Sequence, residues 1–318
     1  MKSSSVVKSM FATCHLLVAA GAAASNGCTA PQPTSGSPRY QTETAQAVDG
    51  VCLRSFTWQP ASGSPRGVVV VTHGIRDHAL RYESFARRLT EQGFTVYAQD
   101  LRGHAHSGGV RQRFDSMDQM IADTNIVVSR AIRQHPSLPV FVLGHSLGGL
   151  IATAYAESHA DKVRGVVLSG AALKPPRSVS GFEIGLARFV GSIAPWLPLQ
   201  QVDDSEFSRD EAVMVKLRSD PLVVRDKLPA ASVVAAVNGM GEVRKKVDRL
   251  KMPLLILHGT GDKVNPIEGS QELNQAAPST DKTLKTYPGL YHDLFHEPEH
   301  AGVESDIMAW LSARIAAK

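Results

Sequence analysis

The sequence is poor in cysteine, with only Cys14, Cys28 and Cys52 among its 318 residues. Three cysteines are too few for a disulfide framework. The fold must therefore depend on a hydrophobic core. The sequence also lacks a dense Lys/Arg run and any basic stretch interleaved with aromatic residues, and its net charge of +4 is mild. These absences argue against a nucleic-acid partner. With 43% hydrophobic and 20% charged residues, neither a disordered nor a fibrous chain is expected.

The N-terminus has the layout of a secretory signal. Lys2 and Lys8 precede an apolar run over residues 10–24. Small residues and then Cys28 come after this run. The run is too short to span a bilayer comfortably. We therefore expect residues 1–28 to be a signal peptide and the mature protein to be exported. Two processing routes remain open: cleavage at an alanine before the cysteine, or a lipoprotein-type signal in which Cys28 becomes the acylated N-terminus.

The stretch that follows the leader is predicted to be a flexible tether. Residues 29–48 are rich in Pro, Ser, Thr, Gly and Gln and contain almost no apolar side chains. Such a composition cannot bury a core, so folded structure is expected to begin near Val51. Removal of a leader containing Cys14 would leave Cys28 and Cys52, which could form one disulfide.

Strand-like apolar runs then alternate with helical patterns. Residues 67–72 form a β-branched run of the kind that a strand buried on both faces requires. The alternation predicts an α/β fold with a mostly parallel central sheet and helices on both faces. The predicted strands are 67–72, 94–98, 140–143, 163–168, 253–257 and 283–287, and the predicted helices are 82–92, 117–134, 150–158 and 299–317. Residues 172–250 break the alternation, and so long a stretch without a strand indicates a helical insertion, here called the cap, between core segments 49–171 and 251–318.

The strongest local motif is Gly144-His145-Ser146-Leu147-Gly148-Gly149, between a predicted strand and a predicted helix. This is the pattern of a nucleophile elbow, in which a tight turn presents a serine hydroxyl at the carboxyl edge of the sheet. The helix N-terminus there favours developing negative charge. The motif therefore predicts Ser146 as a nucleophile, whereas a Gly/Ser turn without chemical consequence is the alternative.

A serine nucleophile needs a base and a third group that orients the base, and in this fold they follow in the order Ser, acid, His. Asp262 ends a strand that runs into a Gly-rich turn, and His292 follows the exit of the next strand, so these two are the predicted partners of Ser146. Asp281 precedes its strand, at the wrong edge of the sheet. Other acids are interpreted as non-catalytic, because they precede the serine or lie in the cap. They are Asp77, Asp100, Asp123, Asp203, Asp204, Asp210, Asp220 and Asp226. The histidines set aside are His258, interpreted as a core residue, and His296 and His300, in or near the last helix.

Negative charge on a tetrahedral intermediate requires prearranged donors. We expect the N–H of Leu147 to be one donor and the N–H of Ile75, in the loop after the first buried strand, to be the other; a plain turn is the alternative for Ile75.

His104 and His106 could suggest a metal site, but no acid or cysteine joins them at ligand spacing, so a structural loop is favoured and no metal is expected. The apolar stretch 182–193 is expected both to pack the cap and to line an acyl pocket.

From Arg66 to Trp310, the motifs together resemble those of the monoacylglycerol lipase and lysophospholipase-like family of α/β hydrolases, of the serine aminopeptidase S33 type. The matching segments are His73-Gly74 with His78 and Tyr82; Asp100-x-Arg102-Gly103-His104-x-x-Ser107; the elbow at Ser146; Leu257-His258-Gly259-Thr260-x-Asp262; Tyr287-Pro288-Gly289-x-Tyr291-His292 with Glu297-Pro298; and Ser219-Asp220-Pro221-Leu222 in the cap. The chain departs from the family at Ala105, where a glycine is usual, and at Ile75-Arg76, where smaller residues are common.

The resemblance implies the α/β-hydrolase fold, a helical cap over an apolar channel, no cofactor, and hydrolysis of monoacylglycerols or related small lipid esters through an acyl-enzyme. Hydrolysis of lysophospholipids, acyl transfer to another alcohol, and a lipid-binding module without turnover are the alternatives. Membrane association is expected through a lipidated Cys28 or through the cap. The sequence gives no oligomeric state.

Overall fold

A computed structural model of the protein describes residues 40–176 and 179–315. The predicted signal peptide, Cys28 and most of the predicted tether lie outside these residues. The strands are β1 (Gln41–Gln46), β2 (Cys52–Trp58), β3 (Gly67–Thr72), β4 (Phe94–Gln99), β5 (Val140–His145), β6 (Gly165–Ser169), β7 (Pro198–Gln200), β8 (Leu228–Pro229), β9 (Leu254–Gly259) and β10 (Lys282–Tyr287). The helices are α1 (Glu83–Glu91), α2 (Met117–Gln134), α3 (Leu147–Ser158), α4 (Gly181–Ile193), α5 (Glu211–Ser219), α6 (Ala230–Lys245), α7 (Ile267–Ala276) and α8 (His300–Ile315).

Eight strands form one central sheet in the order β1-β2-β4-β3-β5-β6-β9-β10. The six strands from β4 to β10 are parallel, and only β1 and β2 join antiparallel at one edge. This arrangement confirms the predicted mostly parallel sheet and the α/β class. In the register of the sheet, Thr72 pairs with Gly144, and Ser169 pairs with both His145 and Leu257. The carboxyl ends of β3, β5, β6 and β9 are therefore neighbours.

Each face of the sheet has its own hydrophobic core. Along β3, Val68 and Val70 face the core that α2 and α3 cover, whereas Val69 and Val71 face the core that α1 and α8 cover. Successive side chains of a strand point to opposite faces, so a strand buried on both sides must be apolar at every position. The β-branched run of β3 meets this requirement.

Strand β1 corrects one prediction. It lies inside the stretch 29–48, so the flexible tether is wrong for Gln41–Gln46. The strand was missed because it is a polar edge strand: its backbone pairs with β2, and Tyr40 contacts the rings of Phe56 and Trp58. Such a strand needs few apolar residues of its own. Cys52, at the start of β2, takes part in a disulfide.

The cap contains α4, α5 and α6, as the loss of alternation predicts, but it is not free of strands. β7 and β8 form a small antiparallel pair in which Pro198 pairs with Pro229 and Gln200 with Leu228. Strands of two and three residues are too short to show a period-2 pattern, so the sequence could not reveal them. In the cap, α6 packs against α3 and α2, and α4 packs on α6. Among the described helices, none combines the length and apolar character needed to cross a bilayer.

Candidate active site

Ser146 occupies the turn between β5 and α3 with φ 54° and ψ −119°. This is a strained conformation for a residue with a side chain, and it costs on the order of 1–3 kcal/mol. The turn is tight enough to need its glycines. A Cβ on Gly144 would lie 2.1 Å from the carbonyl oxygen of Gly148, and a Cβ on Gly148 would lie 2.1 Å from that of Thr72. The local sequence therefore forms the predicted elbow and holds Ser146 at the carboxyl edge of the sheet.

Asp262 and His292 meet at the same edge. Asp262 follows β9, and its Oδ2 accepts a hydrogen bond from Nδ1 of His292 at 2.8 Å. Its other oxygen accepts the backbone N–H groups of Val264 at 2.8 Å and Asn265 at 2.9 Å. The carboxylate is therefore fixed on both sides, and it is well placed to orient the imidazole.

Asp262 and His292 each shift the pKa of the other. Burial alone would raise the pKa of Asp262, but the charge of His292 and the hydrogen bonds from His258 and His292 hold that pKa well below its usual range. Burial alone would lower the pKa of His292, but the Asp262 carboxylate outweighs burial and raises it above its ordinary value. Asp262 thus stays ionised and stabilises a protonated His292, as a base that accepts a proton requires.

Gly170, directly after β6, lies next to the Asp262–His292 pair. A Cβ there would lie 3.2 Å from Nδ1 of His292 and 3.4 Å from Oδ2 of Asp262. Asn265 Nδ2 donates to the carbonyl oxygen of Gly170 at 2.8 Å and lies 3.5 Å from Oγ of Ser146. The hydrogen bonds of the described residues do not include a direct one between Ser146 and His292, and such bonds are often long in unliganded sites. The sequence did not point to Asn265, because its contacts with Gly170 and Ser146 join residues far apart in the chain.

His145, directly before Ser146 in the chain, is a second imidazole at this site. Its ring centroid lies 4.8 Å from that of His292. Burial, helped by the nearby His292, lowers the pKa of His145 to about 4. It is therefore neutral at pH 7 and adds no positive charge that would oppose protonation of His292.

The two predicted oxyanion donors border one cavity together with the nucleophile. Ile75, Ser146 and Leu147 all line it. Leu147 is the first residue of α3, so its N–H has no partner within the helix. These positions are compatible with the predicted role, which stays a prediction.

Arg76, beside Ile75, connects this loop to the cap. Its φ is 62°, and its side chain is buried. Its Nε donates to the carbonyl oxygen of Val224 at 2.8 Å, and Nη1 donates to that of Val202. Asp204 lies 3.6 Å from Nη2. Arg76, which the sequence singled out only as a departure from the family pattern, thus connects the loop after β3 to the cap.

The cavity over Ser146 has a volume of about 300 Å³ and lies between core and cap. The apolar cap residues that line it include Ile184, Ala187, Val233, Ala236, Val237 and Met240. The stretch 182–193 therefore divides: Ile184 and Ala187 face the cavity, whereas Phe182 and Phe189 are exposed. The shape and lining suit an apolar chain attached to a small polar group.

The residues set aside by sequence have structural contacts. His106 Nδ1 lies 3.0 Å from Asp100 Oδ2, and His104 Nδ1 donates to the carbonyl oxygen of Arg102 at 2.9 Å, which fits the structural-loop interpretation. Asp281 pairs with Arg314 away from the site. His258 is buried, as expected, but its Nε2 also lies 3.3 Å from Asp262 Oδ2, so it supports the acid as well as the core.

Comparisons with known proteins agree with this architecture. The sequence profile of Hydrolase_4 (serine aminopeptidase, S33) matches residues 63–299. The chain is 38% identical to a monoacylglycerol lipase of Mycolicibacterium smegmatis over 84% of this chain and 95% of that protein. It is 35% identical to the monoglyceride lipase of Homo sapiens over 85% of this chain and 89% of that protein.

A solved structure also matches closely. The monoacylglycerol lipase of Paleococcus ferrophilus superposes with a TM-score of 0.76 at 31% identity, over 82% of this chain and 99% of that one. Together with the elbow, the acid–histidine pair and the capped parallel sheet, these matches show that the chain belongs to the serine aminopeptidase S33 (Hydrolase_4) family of α/β hydrolases.

Proposed function

We propose that the protein is a serine hydrolase that cleaves carboxylic esters of small lipids, foremost monoacylglycerols, with Ser146, His292 and Asp262 as its catalytic residues. The observation that carries the proposal is the Asp262–His292 pair at 2.8 Å, which shares one sheet edge with a serine held at φ 54°. The apolar cavity above Ser146 and relatives named as monoacylglycerol lipases support the choice of substrate.

The reaction proceeds by acyl transfer in two steps. Ser146 Oγ attacks the ester carbonyl while His292 takes its proton, and Asp262 stabilises the imidazolium. The N–H groups of Ile75 and Leu147 stabilise the oxyanion. His292 then gives the proton to the leaving alcohol, and water repeats the sequence on the acyl-enzyme to release the fatty acid.

Substitution of the nucleophile tests the proposal. Ser146→Ala is expected to lose at least ~10³-fold in kcat/KM for a monoacylglycerol while remaining folded. Ser158→Ala, at the far end of the same helix α3, is the matched control and should keep wild-type activity. Near-normal turnover by Ser146→Ala would refute the assignment.

A substrate panel and a covalent probe separate the alternatives. The panel compares monoacylglycerols, lysophospholipids and short aryl esters, with a competing acceptor alcohol to detect acyl transfer. A fluorophosphonate should label Ser146 in the wild type, because the probe reacts with activated serines. A protein that binds lipid but takes no label would instead be a binding module.

We further propose that the chain is exported. The charged start and apolar run of residues 1–28 support this, and so does the disulfide of Cys52, because disulfides persist in oxidising compartments. If Cys28 is the partner of Cys52, its sulfur cannot also carry a lipid thioether. Mass analysis of the mature N-terminus, with and without reduction, distinguishes the two fates of Cys28. A full-length chain recovered from the cytoplasm would contradict export.

The exposed side of α4 supports membrane association through the cap. Its outward apolar residues recur every three to four positions and are 50–80% exposed: Phe182, Leu186, Phe189 and Ile193. A stripe of this kind suits the interface of a lipid layer. The double substitution Phe182→Ser/Phe189→Ser is expected to weaken cosedimentation with phospholipid vesicles and to leave hydrolysis of a soluble short-chain ester unchanged. Unaltered vesicle binding would argue against the cap as the contact.

A further inference from the structure

A second cavity lies beside the first one, between α6 and α7. Its volume is about 280 Å³. Its lining is mainly apolar and includes Leu173, Met240, Val243, Leu273 and Ala276. We call it the α6–α7 crevice. Nothing in the mechanism described above uses it.

One stripe of helix α6 lines both cavities. Val233, Ala236 and Met240 border the main cavity, and Met240 and Val243 border the crevice. Steps of three and four residues keep these side chains on one helix face, so the apolar surface continues from one cavity into the other. Met240 is the residue of α6 that belongs to both.

Met240 is therefore part of the wall between the cavities. It is half-buried and packs against the core that α2 and α3 cover. Its neighbour Gly239 lies against the first turn of α3, since a Cβ there would be 3.5 Å from Leu150. That helix begins beside Ser146. An unbranched thioether side chain with three rotatable bonds can turn aside without any movement of the helix.

The interior of the crevice favours an apolar occupant, whereas its rim is charged. Arg244 Nη2 lies 2.5 Å from Glu272 Oε2, and Lys174 also pairs with Glu272. Glu272 offsets only one of these two cations, so the rim keeps one net positive charge, on partly exposed side chains. The floor offers only alkyl and thioether surface.

We propose that the α6–α7 crevice is a binding subsite for the distal end of long acyl chains and that Met240 is its gate. The inference rests on the proposed ester hydrolysis. Seven residues separate Val233 from Met240, about 10 Å along the helix, so a chain that outgrows the main cavity along this stripe meets the Met240 side chain. Rotation of that side chain admits the tail to the crevice, where each additional buried methylene strengthens binding roughly fourfold.

Two opposite substitutions test the subsite. Ala276→Trp fills the crevice from an exposed position, and it is expected to lower the ratio of kcat/KM for palmitoylglycerol over butanoylglycerol at least ~5-fold. Met240→Ala joins the two cavities and should raise the same ratio. Gln271→Trp, exposed on α7 and lining neither cavity, is the matched control and should keep the wild-type ratio. Thermal melting verifies that each variant is folded.

The outcomes separate this inference from the function on which it rests. If the wild type hydrolyses butanoylglycerol but both crevice variants keep its ratio within twofold, the subsite is refuted and the proposed function stands. If the wild type hydrolyses none of these esters, the proposed function fails and the subsite with it. A fall in the ratio with Ala276→Trp and a rise with Met240→Ala would establish the acyl path past Met240.

Discussion

In the proposed mechanism, the imidazole of His292 accepts a proton from Ser146 and later gives it to the leaving alcohol. Asp262 raises the pKa of His292 against the opposite effect of burial. Since only neutral His292 can act as the base, kcat/KM should fall as the pH drops through this raised value. We therefore expect the midpoint of the acidic limb of the pH profile of the free enzyme to lie above the ordinary pKa of a histidine.

Removal of the Asp262 charge should move that limb. Asp262→Asn takes away the carboxylate that raises the pKa of His292 and leaves burial to lower it, so the midpoint should shift toward acid. The amide also favours the wrong tautomer of the ring, so kcat should fall at least ~10³-fold. The pH dependence of kcat/KM for a soluble ester measures both effects.

Asp281→Asn is the control for this change, since Asp281 pairs with Arg314 at the other edge of the sheet. It should alter neither the midpoint nor the rate. An unshifted acidic limb in Asp262→Asn would contradict the coupling between Asp262 and His292.

Chain order and strand exits were sufficient to predict that Ser146, Asp262 and His292 lie together. The same logic could not find the role of Asn265 or Arg76. Both side chains act through partners distant in sequence, Gly170 for one and Val224 for the other. Their roles depend on how the cap and loops meet, which no local pattern records.

At the scale of elements, Arg76 couples the loop after β3 to the cap. Arg76→Ala leaves the carbonyl oxygens of Val202 and Val224 without this donor, at a cost of about 1–3 kcal/mol for each group that stays buried. We expect a looser cap, seen as faster proteolysis between β7 and β8, with a higher KM. A displaced Ile75 N–H would also lower kcat.

Arg76→Lys provides the comparison, because lysine keeps the charge but lacks the rigid, five-donor guanidinium that spans the two carbonyls. It should be intermediate between the wild type and Arg76→Ala. Equal protease resistance in all three proteins would exclude Arg76 as the connection between the loop and the cap.

Element prediction succeeded for segments with a strong apolar pattern. It missed β2, which is buried although its sequence mixes polar and apolar residues, and it found β10, which is half-exposed. The buried runs of β3, β5 and β9 and the 18-residue helix α2 have strong periodic patterns. Strand β1 has none, because it is half-exposed and depends on its pairing with β2. The conformation of Ala105 also eluded local reasoning: its φ of 40° explains why related sequences favour glycine there.

For the molecule as a whole, one buried carboxyl makes stability depend on pH. Glu157 on α3 is 4% exposed, and its Oε1 has no hydrogen-bond partner among the described residues. Burial raises the pKa of Glu157 to about 8. Because the folded state favours the protonated form, the contribution of this residue to the free energy of unfolding is complete below about 4.5 and is lost as the pH rises through about 8.

Glu157→Gln removes the ionisable proton and should flatten that dependence. Its Tm should exceed that of the wild type by a few degrees at about pH 9, and the gain should shrink toward about pH 5. Thermal unfolding monitored by circular dichroism across this range is the measurement. Glu91→Gln, exposed at the end of α1, should show no such trend, and a constant difference between Glu157→Gln and the wild type would contradict the assignment.

The cap leaves the sheet after β6 and returns at β9, and these two strands are adjacent, with Ser169 paired to Leu257. The polypeptide thus leaves the core and re-enters it at neighbouring strands, so the cap is an insertion at a single place in the sheet. A cap of different size or chemistry can replace this one at the junction. The spacing of Ser146 and Asp262 would not change, because the hydrogen-bonded strands of the sheet set it. Substrate preference and reactivity can therefore change independently in proteins built on this plan.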